Sequence, residues 1–269
     1  MSRYLLGCAG WGYDDWRGGF YPAGAPPAEY LERYARVFRF AEVDSSHYAV
    51  PRREQVARWA LATPPGFTFA PKFPGDVTHR ARLRDAEDPT DEFLAALAPL
   101  RTSGKLGPVV LQFPPAFTRG NDGAALHAYL DGLPRDLALA VELRHPSWWV
   151  PATYRALEAR GAALVWSVTE HGRSPPVVTA PFVYARLVGD RALSRFDRVQ
   201  RDASPEIRYW ARRFEDEGRS AERVFAVLNN HLMGFAPASA RLLAEALGDA
   251  PPDLGAALRG PGQRSLAGL

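Results

Sequence analysis

Residues 108–143 read PVVLQFPPAFTRGNDGAALHAYLDGLPRDLALAVEL, and this stretch contains the unit from which the fold is predicted. Two short apolar runs, 108–113 and 137–143, flank a segment at 124–133 whose apolar residues recur at the i, i+3 and i+4 spacing of an amphipathic helix. Prolines and glycines separate the runs from the helical segment. The pattern predicts two parallel strands joined by a helix.

The same unit recurs along the chain of 269 residues. Further strands are predicted at 4–8, 38–44, 67–72, 163–168, 182–188 and 224–229, and further helices at 27–38, 53–62, 91–100, 153–160, 204–217 and 238–247. Strands that alternate with helices in this way predict an α/β fold, a single TIM-type (β/α)8 barrel over residues 1–250. The connection 169–181 is short and contains Pro175-Pro176, so we expect the crossover from strand six to strand seven to lack a full helix. Residues 251–269 are predicted to form a mobile Gly/Pro-rich C-terminal tail.

The amino-acid composition of the chain excludes some classes of protein. Apolar residues make up 46% of the chain, yet no segment approaches the eighteen or so apolar residues of a membrane span. The single cysteine, Cys8, excludes an internal disulfide and a zinc site built from cysteines, and we expect a cytoplasmic protein. A formal net charge of +3 without a basic run permits nucleic-acid binding but does not favour it. Lys72 and Lys105 are the only lysines, and an amine can transfer protons or attack as a nucleophile where guanidinium cannot.

Polar residues stand at the carboxyl ends of most predicted strands, the face that carries the active site in TIM barrels. Side chains alternate along a strand, so Glu42 and Asp44 point the same way, as do Glu142 and Arg144. Candidate catalytic residues are Glu42, Glu142 and Lys72. Candidate substrate-binding residues are Trp11, Tyr13, His79, Gln112, Arg144, His145, Arg186 and Asn230. We expect no bound metal and no cofactor.

A structural role is an open alternative for the charged residues. Glu42 with Lys72, and Glu142 with Arg144 or Arg186, could be ion pairs that plug the top of the barrel. His47 and Tyr48 are predicted to support their loop, and His127 to lie on a helix surface.

Several motifs together resemble the DUF72 family, also called YecE-like proteins. The resemblance runs in order along nearly the whole chain, and its motifs are Gly7-Cys-Ala-Gly-Trp-Gly-Tyr13, Phe40-Ala-Glu-Val-Asp-Ser-Ser-His-Tyr48, Phe69-Ala-Pro-Lys72, Leu111-Gln-Phe-Pro-Pro115, Val141-Glu-Leu-Arg-His145 and Leu228-Asn-Asn230. It implies a TIM barrel without an established activity, and it maps the polar positions of the family onto Glu42, Lys72, His79, Gln112, Glu142, Arg144, His145, Arg186 and Asn230.

The chain departs from the family pattern at three positions. Trp166-Ser-Val-Thr-Glu170 stands where an acidic residue commonly ends the sixth strand, Val188 replaces a histidine, and Asp44 occupies a position that is more often asparagine. If the replaced residues were catalytic, this member could be altered or inactive.

Three functions remain open from the sequence. The first is a hydrolase or isomerase that acts on a phosphorylated or polyhydroxylated small molecule, with Glu42 and Glu142 as acid and base and with Lys72 and Arg186 holding an anionic group. The second is a barrel that binds a ligand or protein without catalysis. The third is a metal-dependent phosphodiesterase like endonuclease IV, with ligands drawn from Glu42, Glu142, His145 and His79.

Overall fold

The strands of the protein form one parallel barrel. The computed structural model describes residues 2–170 and 172–260. Within these residues the barrel strands are β1 (Tyr4–Ala9), β2 (Phe40–Val43), β3 (Thr68–Pro71), β4 (Val109–Gln112), β5 (Leu139–Glu142), β6 (Ala163–Thr169), β8 (Phe182–Gly189) and β9 (Arg223–Leu228). Their order is β3-β2-β1-β9-β8-β6-β5-β4, and bridges at Phe69–Leu106 and Lys72–Val110 join β3 to β4. The predicted TIM-type barrel is confirmed.

Among the described residues, helices follow every strand of the barrel except β6. They are α1 (Tyr30–Ala35), α2 (Arg53–Leu61), α3 (Glu87–Ala96), α4 (Ala98–Thr102), α5 (Arg119–Gly132), α6 (Pro151–Arg160), α7 (Ser204–Asp216), α8 (Asn230–Met233) and α9 (Ala236–Ala246). Gly161 ends α6 in a left-handed conformation with a φ of +69°, which glycine adopts without steric cost. One difference from prediction is at 91–100, where the chain forms two consecutive helices, α3 and α4.

The crossover from β6 to β8 contains no helix among its described residues, as the sequence predicts. The two-residue strand β7 (Gly172–Arg173) turns back and pairs antiparallel with Val168 and Thr169 at the end of β6. The Oγ of Ser174 accepts a hydrogen bond of 2.8 Å from the backbone nitrogen of Ser167, which ties the returning chain to the strand.

Aromatic side chains fill the inside of the barrel below its carboxyl end. Phe40, Tyr184 and Phe225 are each at most 5% exposed, and the ring of Phe225 lies 5.3 Å from that of Phe40 and 6.3 Å from that of Tyr184. Burial of one such ring stabilises the fold by about 2–3 kcal/mol. This apolar floor supports the polar layer above it.

Part of the predicted C-terminal tail packs on α1. Residues Leu254–Ala257 form a 3-10 helix, and the side chain of Ala257 is fully buried. Nη1 of Arg33 donates to the carbonyl oxygen of Ala257 at 3.1 Å, and Nη1 of Arg36 donates to that of Arg259 at 2.6 Å. The rest of the predicted tail, residues 261–269, lies outside the described residues.

Candidate functional site

Arg186 lies at the centre of a layer of charged side chains across the carboxyl end of the barrel. Its Nε and Nη2 donate to both carboxylate oxygens of Glu42 at 2.8–3.2 Å, and its Nη1 donates to Glu142 at 2.6 Å and to Oε1 of Gln112 at 3.1 Å. The hydroxyl of Tyr184 donates to Glu42 at 2.9 Å. Every guanidinium nitrogen of Arg186 therefore has an acceptor within the protein.

Glu142 receives a second cation on its other side. Nε of Arg144 donates to Oε1 of Glu142 at 2.9 Å, while Oε2 accepts from Arg186. Glu142 and Arg144 are two residues apart at the end of β5, so the alternation of side chains predicted this neighbourhood. Glu142 is 1% exposed and Arg144 16% exposed, so Arg144 lies nearer to the opening.

Lys72 and Asp44 form a further ion pair of the layer. Nζ of Lys72 lies 2.7 Å from Oδ1 of Asp44, and Nη2 of Arg186 lies 3.6 Å from the same oxygen. Ser46 fixes the backbone of the pair, because its Oγ accepts from the backbone nitrogen of Lys72 at 3.0 Å and lies 2.7 Å from the carbonyl oxygen of Val43. Lys72 is 5% exposed, whereas Asp44 is 33% exposed and forms the open edge of the layer.

The layer is electrically balanced. The carboxylates of Glu42, Asp44 and Glu142 face the cations of Lys72, Arg144 and Arg186. Buried charges are tolerated when they are paired and hydrogen-bonded in this way. The sequence left open an ion pair between Glu42 and Lys72. In the structure Glu42 pairs with Arg186 instead, and Lys72 pairs with Asp44.

The pairing shifts the acidity of these groups. Burial alone would raise the pKa of Glu142, but the charges of Arg186 and Arg144 outweigh it and lower the pKa to about 2. Burial would also raise the pKa of Asp44, but the charges of Lys72 and Arg186 outweigh it and lower that pKa below its ordinary value. Burial and then the charge of Arg186 lower the pKa of Lys72, although Asp44 opposes the change.

His79 lies at the rim on the side of Lys72 and Arg144. It belongs to a π-helical turn, Asp76–Arg80, that follows β3, and its ring lies 4.7 Å from that of His47. Its Nδ1 lies 2.9 Å from Oγ1 of Thr78. Burial, then His47, Lys72 and Arg144, lower the pKa of His79 to about 4.

Tyr13 and Asn230 lie together on the β1 side of the layer. The hydroxyl of Tyr13 donates to the carbonyl oxygen of Ala9, and burial and then the charge of Asp44 raise its pKa. Oδ1 of Asn230 accepts from Nε1 of Trp16 at 3.1 Å and from the backbone nitrogen of Ala236 at 2.9 Å. Asn230, the first residue of α8, thus links the loop after β1 to the start of α9.

Two of the predicted residues, Trp11 and His145, contact apolar rings or the backbone of a turn. The ring of Trp11 packs on Trp59 and Phe69, at centroid distances of 5.5 and 5.7 Å. Nδ1 of His145 accepts from the backbone nitrogen of Ser147 at 3.2 Å and caps the short turn that follows β5. The structure brings Glu42, Lys72, Gln112, Glu142, Arg144 and Arg186 into one layer, and their functional roles stay a prediction.

Sequence reasoning placed Asp44 on the side of Glu42 but left it out of the candidate site residues, and it missed two further residues beside this layer. Tyr184 stands two positions before Arg186 on β8, so side-chain alternation could have found it. His47 was predicted to support its loop, and its Nδ1 does lie 3.2 Å from the carbonyl oxygen of Phe73, but its ring also contacts His79 at the rim. That contact joins the loops after β2 and β3 and has no signal in the sequence.

The described residues contain no group of three or more His, Cys, Asp or Glu side chains placed to hold a metal ion. The metal-dependent alternative therefore lacks a ligand set among them. None of the helices among the same residues has the length and apolar character of a membrane span.

The fold and the charged layer define a TIM-like barrel with a polar carboxyl end. The model of the family described as "Protein of unknown function DUF72" matches residues 5–263. The chain belongs to the DUF72 family, as the sequence motifs predict.

Two relatives that are similar to the chain are named UPF0759 proteins. The chain is 26% identical over 267 residues to the UPF0759 protein YunF of Bacillus subtilis, a match that covers 90% of this chain and 94% of that protein. It is 39% identical over 119 residues to the UPF0759 protein YecE of Escherichia coli. That match covers 44% of this chain and only 43% of the length of YecE.

Solved structures of the family share the fold. A DUF72 family protein from Thermotoga maritima has a TM-score of 0.76 and 27% identity, with 91% of this chain and 99% of that chain covered. A DUF72 family protein from Enterococcus faecalis also has a TM-score of 0.76, at 24% identity, with 97% of this chain and all of that chain covered. The names of these relatives assign no reaction.

Proposed function

We propose that the protein is a hydrolase or isomerase that acts on a phosphorylated or polyhydroxylated small molecule at the carboxyl end of the barrel. The observation that carries the proposal is the pair of Lys72 and Asp44, with 2.7 Å between Nζ and Oδ1, at the open edge of an otherwise buried charged layer. A buried ion pair that ends in a partly exposed carboxylate is suited to proton exchange with a bound molecule.

The proposal gives Glu42 and Glu142 a different role from acid and base. Arg186 occupies both carboxylates, and a pKa of about 2 makes Glu142 a weak base near neutral pH. General acid and base groups work best when their pKa lies near the working pH. Glu42 and Glu142 instead hold Arg186, whose charge helps to lower the pKa of Lys72.

Lys72 is the proton donor of the proposal. A lowered pKa makes its ammonium group a stronger acid, which can protonate a departing alkoxide or the oxygen of a carbonyl group. Asp44 keeps Lys72 oriented through Oδ1, and Oδ2 makes no hydrogen bond within the described residues, so it can accept one from a ligand hydroxyl. The result is an acid and a hydroxyl-binding carboxylate side by side.

The first prediction concerns turnover. We expect the protein to convert at least one member of a panel of sugar phosphates and free sugars, followed by phosphate release and by NMR detection of isomers. Lys72→Met should reduce the rate by about 100-fold or more, because it removes the proton donor. Asp44→Asn should reduce it as well. Asp131→Asn is the matched control, because Asp131 on α5 is 70% exposed and its ion pair with Arg135 lies at the surface.

Two results would overturn the proposal. If Lys72→Met turns over a substrate at the wild-type rate, Lys72 is not the acid. If panel members bind at the barrel opening and none is converted, the barrel binds its ligand without catalysis, which is the second function left open by the sequence.

A further inference from the structure

We infer that His79 and Arg144 form a subsite for the phosphoryl group of the ligand, with Lys72 behind them. This subsite deepens the proposed function and rests on it only in placing the ligand at this opening. Within the described residues, Arg144 and His79 keep hydrogen-bond donors that no protein acceptor occupies.

Arg144 directs free donors toward the opening. Its Nε is engaged by Glu142 at 2.9 Å, which fixes the plane of the guanidinium group. Its Nη1 and Nη2 have no protein acceptor within residues 2–170 and 172–260, and the side chain is 16% exposed. Two parallel N–H groups on a fixed guanidinium plane match the spacing of two phosphate oxygens. Arg186 lacks this property, because its donors are taken by Glu42, Glu142 and Gln112.

His79 offers a second donor on the part of the rim where the charge of Arg144 helps to lower the pKa of the imidazole. Nδ1 is held by the hydroxyl of Thr78, while Nε2 has no hydrogen-bonding partner in the described part of the chain. The half-buried ring is fixed by its contact with His47 on one side and by its π-helical turn on the other. Such single turns often occur at functional sites.

The electrostatic field at His79 favours an anion. The groups that act on its imidazole are Lys72 and Arg144, which are positive, Glu142, which is negative, and His47. Together with burial, the positive groups keep the imidazole uncharged near neutral pH. An anion that binds between His79 and Arg144 would offset this field, so the imidazole should take up a proton when the anion binds.

The position of Asp44 orients the ligand. A phosphoryl group is repelled by the carboxylate of Asp44, which is 33% exposed on the far side of Lys72. The phosphoryl group therefore belongs over β3 and β5, where His79 and Arg144 lie, and the hydroxyl groups belong over β2, next to Asp44. A phosphorylated polyol is the ligand class that satisfies both halves of the opening.

The second prediction measures this subsite without turnover. Inorganic phosphate and sulfate are titrated into the protein by calorimetry at about pH 6, in two buffers that differ in ionisation enthalpy. We expect saturable binding of both anions, and proton uptake on binding of sulfate, which is fully ionised at this pH and releases no proton of its own. His79→Gln should abolish the proton uptake and weaken binding by roughly tenfold, and Arg144→Gln should weaken it by at least as much. Arg144→Lys, which keeps the charge beside Glu142 but removes the fork, should fall between wild type and Arg144→Gln.

Matched controls separate the subsite from general charge effects. His127→Gln removes an exposed histidine on α5, and Arg80→Gln removes an 81% exposed arginine next to His79 in sequence. Both should bind phosphate as the wild type does. Absence of saturable binding, or equal binding by the wild type, His79→Gln and Arg144→Gln, overturns the inference.

The two proposals fail in different ways. Phosphate binding that depends on His79, with no conversion of any sugar phosphate, would support the subsite and contradict the proposed enzymatic activity. Turnover that depends on Lys72, with phosphate affinity unchanged in His79→Gln, would contradict the subsite but not the enzymatic activity.

Discussion

Arg186 shows how one residue organises the candidate site. Its guanidinium group bridges Glu42 on β2 and Glu142 on β5, two strands that are not neighbours in the barrel. Three charges meet in the interior where each is at most 5% exposed. Removing one partner of such a group leaves a buried charge uncompensated, which typically costs about 3–5 kcal/mol.

The third prediction concerns Glu142 and pH. At about pH 7, Glu142→Gln should lower the free energy of unfolding by about 3 kcal/mol, because the fold lowers the carboxyl pKa from 4.5 to about 2. The pKa is lower in the folded state, so this stabilisation is fully present above about pH 4.5 and is lost as the pH falls toward about 2.

Urea denaturation at a series of pH values checks this prediction. The difference between wild type and Glu142→Gln should shrink below about pH 4.5. Glu245→Gln is the control, because Glu245 is 44% exposed and its pair with Arg241 should contribute less than about 1 kcal/mol. A difference that does not change with pH would contradict the assigned ion pairs.

At the same scale, the sequence predicted which residues share a side but not which residues pair. Alternation along β2 and β5 placed Glu42 with Asp44 and Glu142 with Arg144. It could not show that Arg186 reaches Glu42 across the interior while Lys72 turns to Asp44. That choice depends on side-chain reach inside a closed barrel, which strand order and register determine.

Among the elements, the segment that follows the π-helical turn has an unusual backbone. Arg82, Leu83 and Asp85 have φ values of +49°, +67° and +48°, in the left-handed region that costs a non-glycine residue about 1–2 kcal/mol. Asp122, which is 1% exposed in the first turn of α5, holds this segment through ion pairs with Arg82 and Arg84. It also accepts from the backbone nitrogen of Thr118 at 2.9 Å.

The fourth prediction is that Asp122 positions the segment that carries His79. In Asp122→Ala, Arg82 and Arg84 lose their common acceptor, and the left-handed backbone loses its restraint. We expect faster amide hydrogen exchange across residues 76–85, measured by mass spectrometry, and weaker sulfate binding with its proton uptake reduced.

Asp131→Ala is the control for this prediction, since Asp131 lies near the other end of α5 and is 70% exposed. Arg84→Ala removes one of the two ion pairs and should give a smaller increase in exchange. Unchanged exchange across residues 76–85 in Asp122→Ala would show that other contacts hold the segment.

At the scale of the whole molecule, the barrel brings segments near the two ends of the described chain into contact. β1 pairs with β9, and the Oγ of Ser2 donates to Asp249 at 2.6 Å. The number of strands and the missing crossover helix followed from local patterns in the sequence. The packing of residues 251–260 did not, because a Gly/Pro-rich segment without periodicity gives no local signal, and its contacts with Arg33 and Arg36 are distant in sequence.

The fifth prediction follows from the docking of this segment on α1. Ala257 is fully buried and its neighbour Leu258 is 42% exposed, so the same substitution at the two positions tests packing directly. Ala257→Asp places a carboxylate without a partner against α1, and it should lower the free energy of unfolding by about 2 kcal/mol. Leu258→Asp should change it by less than about 0.5 kcal/mol. Urea denaturation gives both values, and limited proteolysis should cut Ala257→Asp within residues 251–260 faster than the wild type. Equal stability of the two variants would mean that the segment contributes nothing to the fold, and that the barrel is complete at residue 250.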